Sequence, residues 1–327
     1  MKGNEALAEA AIRAGCRHFF GYPITPQTEV SAYMAKRMPK IGGTYLQAES
    51  EIAAINMVLG AASAGVRAMT SSSSPGISLK SEGISYIAGS DLPCLIINVM
   101  RGGPGLGGIQ PSQADYWQEM VDLTFRAFDL ADKYRMPAMM LADGMLGQMM
   151  EPVSFPEDYT PIKADKSWAT NGHQNKRPHN IVNSLYLQAD ELEQLVVDRF
   201  ARYEQVKQNE VLVECENTED ADYIVVAYGA TARIAKAAVK AAREKGLKIG
   251  CIRPITVWPF PTEEIAAAAE GCKGFLCVEM SMGQMVDDVR LAVNGRAPVS
   301  FFGRTGGVIP TPAEVLGEIE KLAGGDR

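Results

Sequence analysis

Thr25 is a hydroxyl-bearing residue in an unusually stiff turn. It lies between Pro23 and Pro26, so two nearby φ angles are fixed, and Pro26 restricts Thr25 to an extended conformation. The preceding run, 17–21, predicts a strand. The turn therefore presents the Thr25 hydroxyl at the carboxyl end of a predicted sheet, where α/β proteins bind their ligands. An ordinary turn residue is the alternative that the local sequence favours.

Glu51 is a carboxylate in the first turn of a predicted helix. Ser50 before it is a typical N-cap residue, and the helix dipole favours an anion in this turn. The helix that follows, 52–65, is rich in small residues, which allows another element to pack very closely against it. A carboxylate at the mouth of such a helix is a candidate for a functional site. A simple capping role is the alternative, and Glu49 is the weaker candidate.

Arg101 follows the predicted strand 93–99 and precedes the glycine-rich stretch 102–108. A guanidinium beside open backbone can bind a carboxylate through two parallel hydrogen bonds. A strand-end contact or a pair with a surface acid is the alternative. The glycines do not match G-x-G-x-x-G, which argues against a nicotinamide-binding domain. Together with Thr25 and Glu51, Arg101 predicts one site for an anionic small molecule.

The serine-rich run 71–76 follows a further predicted strand. We interpret it as a turn that binds an anion or a backbone group, with Ser74 and Gly76 as candidates for cofactor contacts. Lys80 lies just beyond the run and can add positive charge to the site. Taken alone, such a run is more often a turn than a binding site.

The elements that position these residues alternate between strands and helices, which is typical of a parallel sheet with crossover helices. In the first part the predicted strands are 17–21, 44–47, 67–71, 93–99 and 137–142, and the predicted helices are 4–14, 27–37, 50–64, 78–89 and 119–134. A second, doubly wound block has predicted strands 223–229, 248–253, 274–279 and 298–303, with helices at 231–246 and from 311 onward. We therefore predict α/β domains at 1–155 and 216–327, joined by a linker with a charged helix at 156–215.

The composition limits the class of protein. The chain has 327 residues, of which 46% are hydrophobic and 22% charged, and its formal net charge is −7. The negative charge argues against nucleic acid as the main partner. No apolar run is long enough to span a membrane and the polar start does not resemble a signal peptide, so we expect no membrane association and a cytoplasmic location. Six scattered cysteines without C-x-x-C, and three histidines, predict no iron–sulfur cluster and no metal site on this chain.

With these residues in view, the sequence resembles the α subunit of the 2-oxoacid:ferredoxin oxidoreductases, thiamine-diphosphate enzymes of anaerobic metabolism. The resemblance runs from residue 3 to about residue 324, and the 2-oxoisovalerate (branched-chain) type is the nearest match. The segments that carry it are 22–26 (YPITP), 47–54 (QAESEIAA), 71–80 (SSSSPGISLK), 100–113, 177–180 (RPHN) and 283–285 (GQM). Each segment alone is weak evidence for the family, but the six segments together are specific to it.

The resemblance implies a fold and a role for each site residue. The fold is a pyrimidine-binding thiamine-enzyme domain followed by a transketolase C-terminal-like domain that is largely structural. Glu51 matches the family glutamate that hydrogen-bonds the aminopyrimidine ring and drives ylide formation, because a carboxylate pushes the ring toward its imino tautomer. Thr25 and Arg101 match residues that contact the carboxylate and keto group of the substrate, with Pro23 beside them. Ser74 and Gly76 belong to the cofactor-binding set.

The resemblance also implies partners. The G-D-G motif that holds Mg²⁺ and the diphosphate of thiamine diphosphate does not occur in this sequence. A β subunit is expected to carry that domain, and γ and ferredoxin-like δ subunits are expected to complete the complex, with iron–sulfur clusters only on the partners. The expected reaction converts a 2-oxoacid, coenzyme A and oxidised ferredoxin to acyl-CoA, CO₂ and reduced ferredoxin.

Two alternatives stay open. A 2-oxoglutarate-specific relative requires a further cation for the distal carboxylate, for which Lys80 and Arg126 are candidates. A scaffold subunit without activity is the other, and one departure from the family pattern bears on it. Family members usually carry another loop and strand between the region 113–117 and the helix at Glu119, whereas here the two are joined directly at Gln118. The segment is either deleted or missing from the sequence, and a real deletion would remove a core strand.

Overall fold

The computed structural model describes residues 1–102 and 117–324, without the side chains of residues 117, 145 and 146. Most of the glycine-rich stretch 102–108 and of the joint before Glu119 therefore lies outside the described residues. The chain divides into two compact units, one ending at Asp198 and the other beginning at Arg199.

The first unit consists of alternating strands and helices, as the sequence predicts. Its elements are α1 (Gly3–Arg13), β1 (His18–Gly21), α2 (Thr28–Arg37), β2 (Thr44–Gln47), α3 (Glu51–Ser63), β3 (Ala68–Ser72), α4 (Ser74–Gly89), β4 (Cys94–Met100), α5 (Trp117–Tyr134), β5 (Pro137–Asp143) and α6 (Gly144–Gln148). Within the described residues, five strands form one parallel sheet in the order β2-β1-β3-β4-β5. Because the strands are parallel, all their carboxyl ends meet at one edge of the sheet.

The start of α4 differs from the prediction. We expected a turn over 71–76 and a helix from residue 78, but β3 extends to Ser72 and α4 begins at Ser74. Pro75 lies in the first turn of the helix, where its missing N–H costs nothing because that donor has no intrahelical partner. The serine-rich run is therefore a strand end followed directly by a helix N-terminus.

The described residues between α6 and α7 (Ala189–Asn209) contain no helix or strand. This segment is nevertheless attached to the first unit: Thr170 donates a backbone hydrogen bond to the Ser63 carbonyl at 2.8 Å, and Tyr159 donates to Asp129 at 2.7 Å. The boundary between the two compact units falls inside α7, which is strongly charged, as predicted.

The second unit is also an α/β sandwich. Its further elements are β6 (Val213–Glu216), β7 (Tyr223–Ala227), α8 (Gly229–Glu244), β8 (Ile249–Pro254), α9 (Thr262–Ala269), β9 (Gly274–Glu279), α10 (Met285–Val293), β10 (Val299–Gly303) and α11 (Pro312–Gly324). The strand order is β10-β9-β7-β8-β6, with β6 antiparallel at the edge and the other pairs parallel. The sequence did not predict α6 in the first unit, nor β6, α9 and α10 in the second. None of the helices in the described part of the chain has the length and apolar character needed to cross a bilayer.

Candidate functional site

The turns after β1, β3 and β4 are joined by hydrogen bonds at the carboxyl edge of the first sheet. Arg101 Nη1 donates to the Thr25 carbonyl oxygen at 2.8 Å. The Ser74 hydroxyl accepts a hydrogen bond from the Arg101 backbone N–H at 3.1 Å and lies at the same distance from its carbonyl oxygen. Pro23 and Thr25 are exposed in the turn after β1. The structure thus brings together the residues that the sequence predicts for substrate contact.

Gln27 holds the turn after β1 against the end of β3, and sequence reasoning missed it. It is fully buried, its Nε2 donates to the Tyr22 carbonyl oxygen at 3.0 Å, and its Oε1 accepts from the Ser71 hydroxyl at 2.6 Å. These two bonds fix the position of the turn that carries Thr25. The sequence offers no clear signal for this role, because a glutamine before a helix is ordinarily exposed.

Glu51 is the first residue of α3, as predicted. Ser50 is the N-cap, and its hydroxyl accepts a hydrogen bond from the Ala53 backbone N–H at 3.1 Å. Glu51 is only 6% exposed, yet within the described residues its carboxylate makes no hydrogen bond or ion pair. Glu49, the weaker candidate, is exposed. A carboxylate on so little exposed a residue, with no partner among the described residues, is a candidate for contact with a ligand.

Gly76 lies against the Glu51 side chain. A Cβ added at Gly76 would be 2.9 Å from Glu51 Oε1 and 2.1 Å from the Ser72 hydroxyl oxygen, so any larger residue would displace both groups. The first turn of α4 therefore packs directly on the first turn of α3. This contact places Gly76, one of the two predicted cofactor residues, beside the Glu51 carboxylate, whereas the hydroxyl of the other, Ser74, contacts the Arg101 backbone.

Three hydroxyl groups near the carboxyl end of β3 have no hydrogen-bond partner among the described residues. They belong to Thr70, Ser72 and Ser73, and all three residues are fully buried. Buried hydroxyls are usually satisfied, because leaving one unpaired costs about 1–3 kcal/mol. Together with the Glu51 carboxylate, which has no partner in the described part of the chain, they could receive polar groups of a ligand at this edge of the sheet.

Lys80 is a further charged group of this site, beside Glu51 and Arg101. It is fully buried, and its Nζ donates a hydrogen bond to the Glu51 carbonyl oxygen at 3.1 Å. Burial lowers the pKa of Lys80 to about 8, since the low-dielectric interior disfavours the ammonium form, while the negative charge of Glu51 acts in the opposite direction. The sequence predicts Lys80 near the site but gives no direct sign of its burial.

An exposed stripe runs along α3 from the mouth of the site. Ile52, Asn56 and Gly60 are exposed at successive turns, and Ile52 is 49% accessible. On α4, Leu79 and Tyr86 are also exposed. Single exposed apolar residues are common, but this group adjoins a buried carboxylate that has no partner in the described part of the chain.

Two family matches assign the chain to a class of thiamine-diphosphate enzyme. Residues 9–118 and 112–215 match the family described as pyruvate flavodoxin/ferredoxin oxidoreductase, thiamine diphosphate-binding. Residues 221–315 match the pyruvate:ferredoxin oxidoreductase core domain II. The chain belongs to the 2-oxoacid:ferredoxin oxidoreductase family, which confirms the resemblance seen in the sequence. It is a subunit of an enzyme of this family.

Within this family, the chain can be compared with subunits of enzymes named for different 2-oxoacids. The chain is 47% identical to the ketoisovalerate oxidoreductase subunit VorB of Methanothermobacter marburgensis, over 99% of this chain and 97% of the relative. It is 36% identical to the 2-oxoglutarate synthase subunit KorA of Methanothermobacter thermautotrophicus, over 98% of each chain.

A solved structure of 2-oxoglutarate:ferredoxin oxidoreductase from Magnetococcus marinus, with 2-oxoglutarate, coenzyme A and succinyl-CoA bound, is similar with a TM-score of 0.88 and 27% identity. The match covers 98% of this chain and 64% of that longer chain. An inactive split-gene transketolase tetramer shares the fold, with a TM-score of 0.63 and 12% identity over 100% of this chain and 99% of its own. The predicted α/β fold class is therefore confirmed.

Proposed function

We propose that this chain is the α subunit of a branched-chain 2-oxoacid:ferredoxin oxidoreductase, with 2-oxoisovalerate as the preferred substrate. The complex would convert the 2-oxoacid, coenzyme A and oxidised ferredoxin to acyl-CoA, CO₂ and reduced ferredoxin. The chain is 47% identical to VorB, a ketoisovalerate oxidoreductase subunit, and 36% identical to KorA, a 2-oxoglutarate synthase subunit. The higher identity to VorB supports 2-oxoisovalerate over 2-oxoglutarate as the substrate.

The Glu51 carboxylate, on a residue that is only 6% exposed and has no partner among the described residues, is the observation that carries the proposal. Its oxygens have no partner among the described residues, and the unpaired hydroxyls of Ser72 and Ser73 lie at the same edge of the sheet. These groups fit a polar heterocycle, so Glu51 would hydrogen-bond a ring nitrogen of the aminopyrimidine of thiamine diphosphate. When bound, the coenzyme supplies a nucleophilic carbon for the keto group of the substrate. Glu51 would hold or share the proton at the ring nitrogen.

Arg101 would bind the substrate carboxylate. One of its N–H groups is engaged with the Thr25 carbonyl oxygen, whereas its Nε has no partner in the described part of the chain. This contact orients the guanidinium and leaves donors for a carboxylate. The exposed Thr25 hydroxyl would orient the keto group, and the exposed Pro23 would line the same side of the substrate.

The proposed assembly needs further subunits. Since the sequence lacks the G-D-G motif, a β subunit would hold Mg²⁺ and the diphosphate of the coenzyme, and it would approach along the α3 stripe that begins at Ile52. The γ and ferredoxin-like δ subunits would carry the iron–sulfur clusters and pass electrons to ferredoxin. All six cysteines of this chain are free thiols, which fits a reducing compartment such as the cytoplasm.

A 2-oxoglutarate-specific enzyme is less well supported. Of the two cations considered for the distal carboxylate, Lys80 is fully buried and bonded to the Glu51 backbone, so it presents no charge to an open pocket. Arg126, the other cation, lies on α5 and is partly buried.

A substrate screen on the assembled complex tests the proposal. We expect coenzyme A-dependent reduction of ferredoxin with the highest kcat/KM for 2-oxoisovalerate, and a lower value for 2-oxoglutarate. A higher value for 2-oxoglutarate would contradict the substrate assignment, and no turnover with any 2-oxoacid would support the scaffold alternative.

In the same complex, Arg101→Met should raise KM about 10- to 100-fold, since a charge-assisted contact is lost. Arg290→Met, which removes an exposed arginine on α10, is the control.

A further inference from the structure

Lys80 is a cation enclosed by the two helices that carry Glu51 and Gly76. Its side chain is fully buried, and its hydrogen bond to the Glu51 carbonyl oxygen is 3.1 Å long. A buried ammonium group loses its hydration, which is a large cost that proteins offset by pairing. In the described part of the chain a single acceptor faces the three N–H donors of Lys80. This one hydrogen bond only partly offsets the lost hydration of the ammonium group, which argues against a purely space-filling role for Lys80.

The spacing of residues on α4 explains how Lys80 reaches Glu51. Gly76, Lys80 and Gly83 lie at positions i, i+4 and i+7, so they share the buried face of the helix. A Cβ at Gly83 would be 2.4 Å from Ile55 Cγ2, one turn after Glu51 on α3. The two helices approach so closely at both glycines that Lys80 is enclosed between them, behind the first turn of α3.

Lys80 and Glu51 also interact electrostatically, in addition to the hydrogen bond from Lys80 to the Glu51 carbonyl oxygen. Burial holds the pKa of Lys80 below its ordinary value, and the negative charge of Glu51 opposes that effect. The attraction acts on the Glu51 carboxylate without occupying its oxygens, because no hydrogen bond joins the two side-chain ends.

We propose that Lys80 is a positioning residue for Glu51. It fixes the first turn of α3 through the Glu51 carbonyl oxygen and balances the charge of the carboxylate, so that the carboxylate stays buried with both oxygens available to a nitrogen heterocycle. Lys80 does not touch the heterocycle and acts through Glu51. The inference rests on the role proposed above for Glu51, and it adds a residue that the comparisons do not assign.

The first test requires neither coenzyme nor turnover. The full chain is labelled with ¹³Cε-lysine, and the Lys80 resonance is identified by its loss in Lys80→Arg. We expect the titration midpoint of Lys80 to fall by about one pH unit or more in Glu51→Gln, because an attractive charge is removed. It should not change in Glu49→Gln, which removes the exposed neighbouring carboxylate. Equal midpoints in the wild type and Glu51→Gln would overturn the coupling.

The second test measures proton exchange at C2 of thiamine diphosphate in the assembled complex. Lys80→Met should slow exchange about 10- to 100-fold, since a displacement of about 1 Å at a reacting group costs this much. Lys240→Met, with the same change in net charge on the exposed face of α8, should exchange at the wild-type rate. Exchange at the wild-type rate in Lys80→Met would refute the inference.

The two proposals fail in different ways. If Glu51→Gln leaves C2 exchange unchanged, the role of Glu51 and the proposed function fail, whatever the lysine titration shows. If Glu51→Gln stops exchange while Lys80→Met does not slow it, only the inference about Lys80 fails. The lysine titration does not depend on a folded Lys80→Met variant, so misfolding of that variant leaves the first test decisive.

Discussion

The buried charge of Lys80 predicts how the stability of the chain changes at alkaline pH. The pKa of Lys80 is lowered from 10.5 to about 8 in the folded state because burial disfavours the ammonium group. In the unfolded chain the group keeps its ordinary value. Between these two values the unfolded chain binds more protons than the folded chain, so this lysine makes stability rise with pH. The free-energy cost of burying the Lys80 ammonium group is fully present below pH 8 and disappears above pH 10.5.

The magnitude follows from the size of that difference. Each unit of difference between the folded-state and unfolded-state pKa of Lys80 corresponds to about 1.4 kcal/mol, so burial of the ammonium group costs about 3 kcal/mol. The free energy of unfolding of the wild type, minus that of Lys80→Met, should therefore increase by about 3 kcal/mol between pH 7 and pH 10.5. Groups that titrate equally in both proteins, including the tyrosines, cancel in this comparison.

Urea unfolding followed by circular dichroism at several pH values measures this difference. Lys240→Met is the matched control, because it removes an exposed lysine from α8 and should show no such trend relative to the wild type. A constant difference between wild type and Lys80→Met across the range would refute the reasoning, and so would a difference that decreases as the pH rises.

Three further predictions concern packing, capping and thiol reactivity. Gly76→Ala should destabilise the chain by about 1–3 kcal/mol, whereas Gly317→Ala, at a helical position with open space, should stabilise it by about 0.5–1 kcal/mol; thermal unfolding of both variants decides this. Ser50→Ala should cost about 1 kcal/mol in the same measurement, because the N-cap of α3 is lost, and an unchanged midpoint would contradict the cap. Cys94, whose pKa burial raises to about 12, should react with iodoacetamide about a hundredfold more slowly than the exposed Cys215; equal rates, read by peptide mass spectrometry, would show that the strand is not buried as described.

The sequence predicts the parts of the fold that depend on local rules. Alternation of apolar strands with helices gives the first sheet with small errors at the ends, and the cap at Ser50 places Glu51 at the start of α3. The carboxyl ends of parallel strands meet at one edge, so the grouping of Thr25 and Arg101 follows once the strands are assigned.

Other features depend on tertiary contacts that no local pattern encodes. The burial of Gln27 arises from a long-range bond to Ser71, and β6 is a short, polar edge strand that is stable only beside β8. The unpaired hydroxyls at the end of β3 are visible only when their surroundings are known. Lys80 is a further case: lysine itself predicts exposure, and its place on the buried face of α4 is apparent only once Gly76 is known to pack against α3.

The central claim is that the Glu51 carboxylate faces a ring nitrogen of thiamine diphosphate. Proton exchange at C2 of the coenzyme in the assembled complex, followed by NMR in D₂O after acid quench, tests this claim most directly. We expect Glu51→Gln to slow exchange about 10²- to 10⁴-fold, which is the usual contribution of a positioned acid–base group, and Glu49→Gln to exchange at the wild-type rate. Wild-type exchange in a folded and assembled Glu51→Gln complex would contradict the account.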